Sequence, residues 1–164
     1  MTLLLIARNI SSAEAFYILI GVWAHYKDRQ DVKKWGVTPL EDNIDSEKYL
    51  YLITITTGMQ AKSGTSSNIF FCIAGDREET GVRKLSDGKR KLLSRGSQVR
   101  YVVTTEYVLG RLETLTIWHD NSGKGDDAGW YLDNVQVSDL QSGRTYAFLV
   151  NQWLAVDEGD GQIE

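Results

Sequence analysis

Residues 49–57 read YLYLITITT. Side chains two apart share one face of a strand, so Tyr51, Ile53 and Ile55 line one side, and Gly58 ends the run. The same pattern recurs downstream. Ser67–Ala74 places Ile69, Phe71 and Ile73 together and stops at Gly75-Asp76. Val99–Glu106 turns Tyr101 and Val103 inward. Leu112–His119 carries Leu115 and Ile117. Trp130–Asp139 carries Leu132, Val135 and Val137, a change of parity that predicts a bulge. Thr145–Val150 alternates Tyr146, Phe148 and Val150. The connections Lys62-Ser-Gly-Thr65, Ser86-Asp-Gly88, Asn121-Ser-Gly-Lys-Gly-Asp126 and Gln141-Ser-Gly143 are turn chemistry. Short strands at this spacing, without helical crossovers, predict an all-β, antiparallel β-sandwich, with a small closed barrel as the alternative.

The rest of the chain frames this body. Its 164 residues suggest one domain with a short appendage, long enough to bury a core. A single cysteine excludes an intrachain disulfide and any multi-thiolate zinc site. A formal charge of -4 argues against nonspecific nucleic-acid binding. Residues 1–35 form an N-terminal helical extension. The apolar run Ala13–Ala24 (AEAFYILIGVWA) reads either as an amphipathic or partly buried helix or as the truncated end of a transmembrane helix. A spanning helix needs about 20 apolar residues, and neither apolar run reaches that alone. On the membrane reading, Trp23 and Tyr26 sit at the interface, and Lys27, Arg29, Lys33 and Lys34 mark the cytoplasmic side. Residues 36–48 read as a solvated linker around Pro39, 49–156 as the domain, and 157–164 as an acidic tail.

Two stretches offer binding chemistry. Residues 118–130 put Asp120, Asn121, Asp126 and Asp127 in one glycine-rich loop. Calcium takes six to eight oxygens from carboxylates, amides and carbonyls on such loops, and the plain alternative is a turn whose Asp and Asn side chains cap their own backbone. Lys89, Arg90, Lys91 and Arg95 surround Leu92 and Leu93. Clustered cations attract anionic headgroups at roughly 1 kcal/mol each, and two leucines at a loop tip can add insertion; the alternative is a solvated turn with its leucines folded into the core. An enzyme is not expected. His119 and Asp120 are neighbours on a strand and point to opposite faces, no nucleophile elbow or phosphate loop is present, and Cys72 reads as a buried, inert thiol.

Tyr51–Gly58 (YLITITTG), Gly64-Thr65 leading into Asn68–Gly75, Leu109–Leu112, Ile117–Gly123 (IWHDNSG), Trp130–Val137 and Asn151–Val156 (NQWLAV) resemble a PLAT domain, the sandwich found in polycystins, lipoxygenases and alpha-toxins. Lys27–Asp31, Lys34–Asn43 and Trp153–Gly161 resemble the corresponding flanks in the polycystin-1 family of membrane proteins. The resemblance implies an eight-stranded sandwich of two four-stranded sheets. It implies a non-catalytic module on the cytoplasmic side of a membrane, binding anionic phospholipid, cytoplasmic proteins or channel subunits, with no nucleic acid and no small-molecule substrate. Calcium is an optional cofactor, with Gly64, Thr65, Asp120, Asn121 and Asp126 as its implied ligands. The middle calcium loop of the family maps near Lys89–Arg95, which contains no acid. It is also where relatives carry membrane-inserting apolar residues, and here Leu92 and Leu93 stand there, so the lipid site is Lys89, Arg90, Lys91, Leu92, Leu93 and Arg95. Trp118, Trp130 and Trp153 match structural tryptophans of the family.

Overall fold

The computed structural model describes residues 36–88 and 92–164. The N-terminal helical extension and both readings of it lie outside the described residues, as do Lys89, Arg90 and Lys91. Residues from Val37 to Glu164 form one unit. It contains eight strands: β1 (Val37–Pro39), β2 (Tyr49–Thr57), β3 (Ile69–Gly75), β4 (Arg83–Lys84), β5 (Gln98–Thr105), β6 (Leu112–His119), β7 (Trp130–Asp139) and β8 (Thr145–Leu154). One sheet has the order β1-β5-β2-β7-β8 and the other β4-β3-β6. The sandwich is all-β, and its strands divide five and three rather than four and four, because β1 adds to the β5 edge. That pair is parallel; the other pairs are antiparallel.

Alternation decides the core. Tyr51, Ile53 and Ile55 from β2 meet Val99, Tyr101 and Val103 from β5 and Val135 and Val137 from β7. Ile69, Phe71 and Ile73 close the core from the small sheet with Leu112 and Ile117. Each fully buried side chain of this size contributes about 1.5–3 kcal/mol. The expected bulge in β7 falls between Leu132 and Asn134, where the register with β8 shifts. It lets Trp130 and Leu132 point inward despite the parity change. Trp130 is fully buried, and its indole donates to Thr57 Oγ1 at 3.1 Å. Cys72 is half-buried on the alternate face of β3 rather than enclosed.

Two flanks differ from their expected character. The stretch 36–48 is bound rather than a solvated linker: Val37 pairs with Arg100, Leu40 is buried, and the Leu40 amide donates to the Val102 carbonyl at 3.1 Å. Arg83 fastens it further, with Nε and Nη2 on the two oxygens of Asp42 at 2.7 and 2.8 Å. Pro39 sits on an edge strand, where its missing N–H costs no ladder bond. The acidic tail also folds back. The Ala155 amide donates to the Gln162 carbonyl at 2.8 Å, and the His119 amide to the Ile163 carbonyl at 3.2 Å.

Candidate functional site

β2, β6 and β8 end, and β3, β5 and β7 begin, at one end of the sandwich. The loops 58–68, 85–97 and 120–129 and the tail therefore gather there. This end has a cationic corner beside β5 and an acidic corner beside β7 and β8.

At the cationic corner two loops interlock. The Gly96 amide donates to the Gly58 carbonyl at 2.8 Å and the Thr57 amide to the Ser97 carbonyl at 2.9 Å. Arg95 Nε donates to the Met59 carbonyl at 2.7 Å. The leucines expected as membrane wedges do not reach outward. Leu93 is only 8% exposed and belongs to the core, and Leu92 is half-buried against it. The reason is the neighbouring turn. The Thr65 amide donates to the Leu93 carbonyl at 2.9 Å, which draws this backbone inward. A Cβ on Gly64 would stand 2.9 Å from both the Leu93 carbonyl oxygen and the Arg95 amide nitrogen. Gly64 is therefore explained by close backbone approach.

At the acidic corner the implied calcium ligands are held by other partners. Asp120 accepts from the Asn68 amide at 3.1 Å, Asn68 Nδ2 at 2.7 Å and the Ser122 amide at 3.0 Å. Desolvation pushes its carboxyl up, but the bonds from Ser122 and Asn68 together outweigh it and hold the group down to about 2. Asn121 adopts a positive φ of 52°, a conformation Asn tolerates in turns. Thr65 Oγ1 donates to the Asp127 and Ala128 carbonyls at 3.0 and 3.3 Å. Asp126 pairs with Lys62 Nζ at 2.9 Å. The Asp126 hydrogen bond and charge, with a further contribution from Glu158, raise the Lys62 pKa. Lys62, Asn121, Asp126, Trp153, Asp157 and Glu158 line a cleft of about 110 Å3. Among the described residues no group of three or more His, Cys, Asp or Glu side chains could hold a metal. The donor set here does not fit calcium: Lys62 already supplies the positive charge beside Asp126, and N–H donors fill the oxygens of Asp120.

Sequence reasoning did not single out His119 as the tie between these loops. It is fully buried, with Nδ1 accepting from the Asn121 amide at 3.1 Å and Nε2 2.7 Å from the Leu154 carbonyl. Both ring nitrogens are committed, which leaves neither for proton transfer. Nor did it single out Met59, 71% exposed beside Arg95. A lone methionine between Gly58 and Gln60 carries no periodic signal.

The family model for the PLAT/LH2 domain matches residues 51–163. The chain is 37% identical over 151 residues to polycystin-1-like protein 3 of Mus musculus, an alignment covering 92% of this chain and 7% of that protein. It is 35% identical over 142 residues to the polycystin family receptor for egg jelly of Mus musculus, covering 86% of this chain and 7% of that protein. The chain thus spans less than a tenth of the length of these relatives. Among solved structures, coral 8R-lipoxygenase shares the fold with a TM-score of 0.58 at 24% identity, over 65% of this chain and 16% of that one. That enzyme is described as calcium-activated through a C2-like domain.

Proposed function

The chain belongs to the PLAT/LH2 domain family, and on that premise we propose that it is a non-catalytic module docking on anionic phospholipid at the cytoplasmic face of a membrane. The surface is the cationic corner: Arg95 together with Lys89, Arg90 and Lys91, the last three on the strength of the sequence alone. The observation that carries this reading is the direction of β1. Val37 lies opposite Arg100 and Pro39 opposite Val102 in parallel, so the chain enters the module from the end of β5 at which the Arg95 loop stands. A membrane anchor upstream of Val37 would deliver the module with that end leading. Clustered cations supply the attraction, which salt screens. Calcium has no part in this docking, because the Asp120 and Asp126 carboxylates are already occupied by donors within the chain.

The test is co-sedimentation of the full chain with vesicles of phosphatidylcholine, with and without phosphatidylserine. Wild type pellets with the anionic vesicles alone, and the triple variant K89E/R90E/K91E stays in the supernatant. Equal pelleting of the two proteins overturns the reading.

A second reading is a protein-interaction scaffold within a receptor or channel assembly, with no lipid or calcium binding. It is favoured by Leu149, which stands 79% exposed on the edge strand β8. A wild-type chain that ignores anionic vesicles, with its fold intact, favours this reading over the first.

A further inference from the structure

An exposed methionine beside an arginine on a locked pair of loops is an unusual surface. Met59 extends from the turn after β2, and its thioether lies over Gly96: a Cβ there would come within 2.5 Å of the sulfur. Gly96 has a φ of +66°, so the absence of a side chain serves both the turn and the methionine above it. The Met59 carbonyl is held by Arg95 Nε, and the two loops are joined by the Gly96–Gly58 and Thr57–Ser97 backbone bonds.

We propose that Met59 is the apolar anchor of the membrane contact, entering between phospholipid headgroups while Arg95 beside it meets their phosphates. This rests on the membrane-docking reading above. Leu92 and Leu93, the aliphatic side chains nearer in sequence to the cations, are packed against the core and unavailable. A methionine is unbranched and polarizable, so it fits an irregular, fluid interface. The interlocked loops are ordered before contact, which lowers the entropic cost of insertion. Charge supports a bilayer as the occupant. The arginine stands at this corner, whereas Asp126, Asp157 and Glu158 line the separate cleft at the other. The entry of the chain beside β5 points the same way.

The experiment measures vesicle binding of the full chain and of Met59→Asp, Met59→Leu and the K89E/R90E/K91E variant, on phosphatidylcholine vesicles containing phosphatidylserine, over a range of salt. Circular dichroism checks the fold of each. Met59→Asp weakens binding about tenfold, the scale expected for losing a partly buried apolar side chain. Met59→Leu binds within about twofold of wild type, since it keeps the apolar volume. The salt dependence of Met59→Leu matches wild type, because its cations are unchanged. If Met59→Asp binds as tightly as wild type while the charge-reversed variant does not bind, the anchor is overturned and the docking function stands. If wild type does not bind, both fall.

Discussion

His119 Nε2 lies 2.7 Å from the Leu154 carbonyl, so the last residue of β6 is tied to the last residue of β8 across the two sheets. Its Nδ1 accepts the Asn121 amide and therefore carries no proton, which makes Nε2 the donor. The ring fixes the loop that begins at Asp120 against the end of the neighbouring sheet. Replacing it with phenylalanine keeps the bulk and strands a buried carbonyl. We expect His119→Phe to lose about 2–3 kcal/mol of stability. Urea denaturation reads this directly, and a midpoint equal to that of wild type would contradict it.

Asp120 gives a pH signature. Its folded carboxyl titrates at about 2 against 3.8 for the free group. Between those values the folded state binds fewer protons than the unfolded chain, so stability rises with pH across the interval. The contribution is complete above about pH 4 and fades as the pH falls toward 2. Because the carboxylate is largely exposed, its size is about 1 kcal/mol after solvent screening. Asp120→Ala, which abolishes the acceptor, is expected to be less stable than wild type at neutral pH, with the gap closing on acidification. A gap that stays constant from pH 7 to pH 2 counts against this account.

Lys62 makes a prediction about calcium. Its ammonium is held beside Asp126 and within the field of Glu158. Titration calorimetry of wild type with millimolar calcium should give no heat beyond dilution. Lys62→Ala should acquire weak calcium binding while its thermal stability barely moves, since exposed ion pairs contribute little. Heat from wild type would show that the acidic corner accepts the metal despite the lysine.

The bound strap before β2 sets where the domain begins. A chain starting at Tyr49 loses the β1 pairing, the buried Leu40 and the Asp42–Arg83 contact. It is expected to be less stable than a chain starting at Val37 by about 3 kcal/mol, the sum of one buried leucine and a hydrogen-bonded charge. Identical denaturation curves for the two would return residues 37–48 to the status of a linker.

Gly64 offers a further check. Its Cβ position lies against backbone on the Leu93–Arg95 loop, which cannot swing aside as a side chain would. Gly64→Ala should lose about 1–3 kcal/mol through overpacking, visible as a lower thermal midpoint. An unchanged midpoint would mean the loop yields freely.

The sandwich was legible because alternation is a local property. Tyr51, Ile53 and Ile55 announce their common face within a few residues, and the parity change between Leu132 and Val135 announces the bulge. β1 and β4 were not legible, since three and two residues carry no period. They are strands because β5 and β3 offer them open edges. The candidate site was legible in composition and misread in geometry. Cations and leucines at positions 89–95 signal a lipid surface, but the core recruits Leu93.

The chemistry of the strands, a soluble β-rich body with a cationic loop and an acidic loop, follows from the residue order alone, because hydrophobic period and turn chemistry act over neighbours. Which apolar side chain reaches solvent at the loop-rich end, and whether an acid meets a metal or a lysine, depended on residues far apart in the chain being folded into contact. Thr65 drew Leu93 inward, Arg95 held Met59 out, and Lys62 reached Asp126. Long-range packing made those choices, since burial is awarded to the side chain that fits the shared interior and not to the one nearest the charge.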